Sequence, residues 1–196
     1  MYRKAGKVAL GVSALAVLAF VLMGLLPGGE AKRASTLNNR TPGMTVETAT
    51  FGAGCFWHVE SDFRKVEGVV STTVGYEGGT KPQPTYKDVC SDQTGHAEVV
   101  QVEYDPSRVS YDRLLGLFFE MHDPTSMDRQ GLDVGSQYRS VIYYHSPEQK
   151  EAAEKYRERL EKSGQFSRPI VTVIAPTTKF WEAEEYHQQY YEKKGM

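Results

Sequence analysis

The stretch "VETATFGAGCFWHVESDFRKVEG", residues 46 to 68, changes its periodicity at a single corner. Up to Gly52 the residues alternate as a strand does. From Cys55 onward Phe56, Val59, Phe63 and Val66 recur at helical spacing, and Gly68 can close the run. A strand that passes through two glycines straight into an amphipathic helix must lay that helix on a sheet. Cys55 falls at the turning point.

The rest of the chain repeats the mixture. "VVSTTVGY" and "YRSVIYYH" are strand-like, and so is "PIVTVIAP". In "HAEVVQVEY" Val100, Val102 and Tyr104 fall on one face, with Gln101 and Glu103 on the other. "SYDRLLGLFFEMH" reads as a helix capped by Ser110. "SPEQKEAAEKYRERLEKSG" is a second, with Ser146 as cap, Pro147 in the first turn, Gln149 to complete a capping box and Gly164 as the stop. "WEAEEYHQQYYEKK" reads as a final helix. Interleaved strands and helices with short links predict an α/β two-layer sandwich with a mixed β-sheet. With 196 residues, the chain can bury a core that needs no disulfide staple.

The N-terminus is of another kind. Arg3, Lys4 and Lys7 precede "VALGVSALAVLAFVLMGLL", residues 8 to 26, which carries no charge. A secretory signal core runs to roughly 7–15 apolar residues, whereas about 20 span a bilayer. The run reads as one N-terminal transmembrane or signal helix over residues 1–26, with an uncleaved anchor favoured over a signal cleaved near Ala31. The basic flank stays in the cytoplasm, which places the remainder outside it. Residues 27–45 are rich in Gly, Pro, Ser, Thr and Asn and read as a linker, so the domain is expected over 46–196. Net charge is −2 with no basic block, which gives no surface for nucleic acid.

Two cysteines occur, Cys55 and Cys90. At a helix start, free N–H groups and the positive end of the helix dipole favour a thiolate, and the thiolate is the nucleophile. Cys55 is therefore expected to have a depressed pKa, although its position alone leaves nucleophile and buried spectator open. Cys90 is expected in a connecting loop. Glu98 shares the apolar face of Val100, Val102 and Tyr104. A carboxyl held there has its pKa raised and can deliver a proton near neutral pH; a glutamate reaching water at the strand end is the alternative. "HAE" has the form of a zinc-deaminase motif, but the required later cysteine pair is missing, so no metal is expected and His96 is structural. "DRQGLDVGSQYRS" sets Asp133 in a loop between Gly131 and Gly135, with Tyr138 opening the next strand. Tyr86 in "QPTYKDVC" could donate to an oxygen, though the chain has 12 tyrosines.

Together "GCFWHVE", "GYEGG", "PTYKDVCSDQTGHAEVV", "DPTSMDRQGLDVGSQYRS" and "AEEYHQQYY" resemble the methionine sulfoxide reductase A family, the peptide-methionine (S)-S-oxide reductases, over roughly residues 46 to 191. The resemblance implies the α/β fold read above and a thiol-dependent repair of oxidised proteins or of free methionine sulfoxide. It implies that Cys55 attacks the sulfoxide sulfur and becomes a sulfenic acid. It implies that Glu98 protonates the oxygen, that Tyr86 and Tyr138 hydrogen-bond it, that Asp133 holds a water or the acid, and that Phe56 and Trp57 cup the methyl group. No bound cofactor is implied; an external thiol, a thioredoxin-like protein or a small thiol, restores the cysteine. A monomer is expected.

His58 and Asp92 stand where that family usually has Gly, and Leu132 where it usually has Asn. Leu132 is expected to loosen the placement of Asp133. Two rival classes remain at this point. A cysteine hydrolase would need one of the five histidines as a base beside Cys55. An anchored binding domain would need no reactive thiol at all.

Overall fold

In the computed structural model the described residues are 45–196. The anchor or signal and most of the linker expected from the sequence lie outside them. Among the described residues no helix is long and apolar enough to cross a membrane.

The elements run β1 (Glu47–Ala53), α1 (Phe56–Arg64), β2 (Val69–Glu77), α2 (Tyr86–Cys90), β3 (Ala97–Tyr104), α3 (Tyr111–Glu120), β4 (Arg129–Gln130), β5 (Asp133–Val134), β6 (Ser140–Tyr144), α4 (Pro147–Ser163), β7 (Val173–Pro176), β8 (Trp181–Glu182) and α5 (Tyr190–Lys194). Six strands form one sheet in the order β7-β6-β1-β3-β2-β8, and β4 with β5 forms a separate hairpin. Every pair in the large sheet is antiparallel except β6 with β7. The mixed α/β architecture is therefore as the periodicities predict.

Alternation decides which face is buried. Phe51, Val74, Val100, Val102 and Ile142 point to one face, where Phe63 of α1 and Leu114, Leu115 and Phe118 of α3 cover them. The stack of Phe51 on Phe63, 4.9 Å between ring centres, joins sheet to helix at the middle of this core. Val99, Val141 and Tyr143 fill the other face under Phe180.

The C-terminal reading is corrected. Residues 181–194 are not one helix: Trp181 and Glu182 pair with Tyr76 and Gly75 on the edge of β2, a 3-10 turn follows at Glu185–His187, and only Tyr190–Lys194 is α-helical. The edge of β2 exposes backbone N–H and C=O groups that must be paired. Ala183 and the side-chain amide of Gln188 do this. The Val74 N–H donates to Gln188 Oε1 at 2.9 Å, and Gln188 Nε2 donates to the Val74 carbonyl at 2.9 Å. Glu60 of α1 then accepts from the Gln189 N–H at 2.8 Å. Tertiary partners thus override the helical propensity of the segment.

Three smaller differences follow. β7 covers only the end of the expected 169–176 strand. Cys90 lies on the short helix α2, which Thr85 and Asp88 cap reciprocally, rather than in a loop. Ser146 caps α4 as expected, but Gln149 accepts from the His145 N–H at 2.9 Å and donates to the Thr48 carbonyl at 2.8 Å, tying the helix to β1 instead of closing a capping box.

Candidate active site

The site is assembled where β1 ends and β3 begins. Their antiparallel register sets Phe51 opposite Val100. That brings the corner at Cys55 beside Glu98, a residue far away in sequence. Gly54 makes the turn with φ +93, and a side chain at Gly52 would meet the Glu98 carbonyl oxygen at 2.9 Å. Both glycines are thus required by geometry.

Cys55 is the N-cap of α1, where the backbone N–H groups of Trp57 and His58 favour its thiolate, although the sulfur makes no capping hydrogen bond. Its expected low pKa is nevertheless wrong. Burial first, then the Glu98 carboxylate, push the thiol up to about 12 against the pull of those two amides. Two N–H groups do not outweigh a thiolate's lost hydration and a neighbouring negative charge.

Glu98 is 2% exposed, so the buried alternative holds and the water-reaching one fails. Its Oε2 accepts the Phe56 N–H at 3.1 Å, the first amide of α1. Burial, aided by the Asp133 charge, raises its pKa to about 8. The carboxyl is therefore largely protonated at neutral pH, and in that form it no longer repels a thiolate on Cys55.

The other sequence candidates surround this pair. Asp133 belongs to β5 rather than a loop, paired with Gln130, and its charge reaches both Cys55 and Glu98. The hairpin is seated on the corner by Gln130, whose Cβ and Cγ lie 2.8 Å from where a Cβ on Gly54 would stand. Tyr138 closes a 3-10 turn and precedes β6 instead of opening it. Burial, then the Glu98 charge, push its phenol up to about 12, so it stays a hydrogen-bond donor. The Tyr86 hydroxyl faces the Cys90 sulfur, and burial followed by that thiol pushes it well above its usual range. Phe56 is buried, while Trp57 is partly exposed and stacks on Tyr190 with ring centres 3.9 Å apart.

Two departures from the family pattern find explanations. Asp92 has φ +58, the conformation that favours glycine, and its carboxylate holds the Ser136 N–H at 3.1 Å in the turn leading to Tyr138. Leu132 does not loosen Asp133: it stands 95% exposed at the hairpin tip, while strand pairing places Asp133.

Glu184 was missed by the sequence reading, and His187 entered it only as one of five candidate bases. His187 is buried, and its Nδ1 accepts the Trp57 indole N–H at 3.1 Å. Glu184 accepts from the Tyr86 N–H at 2.9 Å and the Tyr76 hydroxyl at 3.0 Å. Both fall in "AEEYHQQYY", where the assumption of one continuous helix hid their roles.

No histidine serves Cys55 as a base. His58 bonds Tyr191, His96 the Gly79 N–H and Lys81 carbonyl, His122 the Phe118 carbonyl and Ser140, His145 Thr50, and His187 Trp57. A cysteine hydrolase thus lacks its second residue. What the fold and site define is a cysteine-dependent oxidoreductase, with a half-buried thiol, a buried carboxylic acid beside it and tyrosine donors near that acid.

Comparison with known proteins gives the family. The family model Peptide methionine sulfoxide reductase matches residues 47–196. The chain is 63% identical over 150 residues to the peptide methionine sulfoxide reductase MsrA of Geobacter metallireducens, covering 76% of this chain and 93% of that one. Mxr1 of Saccharomyces cerevisiae in reduced form superposes with a TM-score of 0.73 at 36% identity, covering 80% of this chain and 89% of that one. The same yeast protein in complex with Trx2 matches with a TM-score of 0.54 at 30% identity, over 76% and 87%. The chain belongs to the peptide methionine sulfoxide reductase family. It is an A-type enzyme, a peptide-methionine (S)-S-oxide reductase, and its reaction is the thiol-dependent reduction of methionine sulfoxide in the repair of oxidised proteins.

Proposed function

We propose that Cys55 is the nucleophile and Glu98 the proton donor, and the observation that carries this is the buried carboxyl anchored on the first amide of the helix that Cys55 caps. The Cys55 sulfur attacks the sulfoxide sulfur while Glu98 gives its proton to the oxygen, and the thiol's own proton restores Glu98. Oxygen ends on Cys55 as a sulfenic acid, and methionine departs. Tyr138 and Tyr86 donate to the oxygen as charge develops on it, and Asp133 holds a water or the acid in register. Trp57, backed by Phe56, receives the methyl group. No cofactor enters the reaction: two electrons leave the Cys55 sulfur, and an external thiol pair returns them with loss of water.

A thioredoxin-like protein is the reductant this reading favours, and the yeast relative in complex with Trx2 supports it. A small thiol is the alternative. The catalytic domain, residues 46–196, acts as a monomer outside the cytoplasm, tethered by residues 8–26 through the linker 27–45. Release after signal cleavage is the alternative. The uncharged run behind Arg3, Lys4 and Lys7 supports that topology. A reporter active only outside the cytoplasm, fused after Met196, should be active; activity of a cytoplasm-only reporter would refute the tether.

Assay with separated sulfoxide epimers and dithiothreitol tests the chemistry. The S epimer should be consumed and Cys55→Ser should be inert. An active Cys55→Ser protein would overturn the assignment.

A further inference from the structure

His58 is the departure from the family's usual pattern that reduction of the sulfoxide leaves without a part. It stands where that family usually has Gly. It is the third residue of α1, and a side chain at that position of a helix faces the N-cap residue, here Cys55. The residue is exposed, and its Nε2 lies 2.8 Å from the Tyr191 hydroxyl, with the two rings edge to face at 5.1 Å. Arg64 of α1 grips Glu192, the next residue of α5, with two bonds at 2.7 and 3.0 Å, and so fixes the pair in place. Burial, then the charges of Cys55 and Asp133, push the Tyr191 phenol above its usual range, which sets that hydroxyl in the neighbourhood of the nucleophile. The other titratable groups around the pair are Tyr190 of α5 and Asp62, one turn along α1, which Lys65 engages at 2.9 Å.

The pair does not activate Cys55 for its attack, because the imidazole bonds Tyr191 and not the sulfur. The second half of the cycle has a different need. A thiol must meet the sulfenic acid on Cys55, and a thiol of ordinary pKa, about 8.5, is only about 3% thiolate at pH 7. The hydroxide that leaves the Cys55 sulfur needs a proton at the same moment. An imidazole can take a proton on one nitrogen and release one from the other.

We propose that His58 and Tyr191 form a proton relay for the external thiol that reduces the Cys55 sulfenic acid. This deepens the reading of Cys55 as the nucleophile and rests on it. In the tautomer that carries its hydrogen on Nε2, the imidazole donates to the Tyr191 oxygen, Nδ1 is the acceptor, and the Tyr191 hydroxyl is left to donate. The incoming thiol gives its proton to Nδ1, and its sulfur bonds the Cys55 sulfur as the S–O bond breaks. The oxygen leaves as hydroxide with the electron pair of that bond and takes the Tyr191 proton to become water. The Nε2 proton then restores the Tyr191 hydroxyl, and the ring is neutral again. The incoming sulfur is oxidised, the Cys55 sulfur is reduced, and the product is a mixed disulfide that a second thiol opens.

The test separates the two half-reactions in the full chain. One equivalent of the S sulfoxide at pH 7 gives methionine and the sulfenic acid. Free cysteine is then added at pH 7 or at pH 9.5, and the sulfenic acid that remains is trapped over time with a sulfenic-acid reagent. Full deprotonation of a thiol that is about 3% thiolate is worth about 30-fold, so His58→Gln should slow this second step roughly ten- to thirtyfold at pH 7, far more than it slows methionine release. At pH 9.5 most of the free cysteine is already thiolate, and the difference should shrink to less than about threefold. Tyr191→Phe keeps the ring but has no proton to give, and should also slow the second step at pH 7. A His58→Gln or Tyr191→Phe protein that is reduced as fast as wild type at pH 7, or a His58→Gln protein slowed equally at both pH values, would overturn the relay while the family reaction stands. Absence of a methionine burst in wild type would remove the reading of Cys55 itself.

Discussion

Replacing Glu98 by Gln separates the two consequences of burying one carboxyl. The variant keeps an oxygen that can accept the Phe56 N–H, so the helix start survives. It cannot give up a proton. A positioned general acid contributes about 10²–10⁴-fold, and kcat should fall by that much. The pH profile should change as well. With the Glu98 pKa near 8, wild-type activity falls as pH rises through that value, because the acid is lost; this limb should vanish in the variant. Removing the carboxylate should also lower the pKa of the Cys55 thiol, since that charge is the second cause holding it near 12. Stability runs in the opposite sense. A carboxyl whose folded pKa exceeds its unfolded value of 4.5 stabilises the fold fully below 4.5 and loses that contribution as pH rises through about 8. Gln carries no such dependence. The variant should therefore gain on wild type progressively between about pH 4.5 and pH 8, by roughly 5 kcal/mol at most. Urea unfolding at pH 5 and pH 9, beside kcat/KM over the same range, measures all of this. A kcat loss below tenfold, or a high-pH limb that persists in the variant, would refute the role of Glu98 as acid.

Cys55→Ser should abolish turnover while Cys90→Ser keeps most of it; after one equivalent of sulfoxide, Cys90 should count as a free thiol and Cys55 should be trappable by a sulfenic-acid reagent. A Cys55–Cys90 disulfide as the main product would show instead that Cys90 resolves the intermediate. Gln188→Ala leaves the buried Val74 N–H without its acceptor and should cost about 1–3 kcal/mol in chemical denaturation. Gly54→Ala forces a side chain into φ +93 against Gln130 and should lower the thermal midpoint, with a loss of about 1–3 kcal/mol; an unchanged midpoint would mean that the corner relaxes freely.

Much of the molecule is readable from local pattern. The change of period at Cys55 is a property of neighbouring residues, and it placed β1, the glycine turn and the start of α1 almost to the residue, while α1 ends at Arg64, short of the expected stop at Gly68. Alternation in "EVVQVEY" put Glu98 on the buried face before any fold was known. The motifs named Asp133 and Tyr138 as candidates but not their backbone, since a two-residue strand and a 3-10 turn have no period to detect. What the sequence could not supply is the meeting of distant parts. Residues 181–194 have helical character, yet the unpaired edge of β2 and the carboxyl of Glu60 pull them into a strand, a turn and one short helix. The roles of His187 and Glu184 became visible only then. The electrostatics of Cys55 follow the same rule. A helix start lowers a thiol's pKa when nothing else is near, and sequence shows the helix start. The depth of burial and the approach of Glu98 from β3 are tertiary facts. They act through lost hydration and an unscreened neighbouring charge, and these outweigh the pull of the two helix-start amides that the local pattern promised.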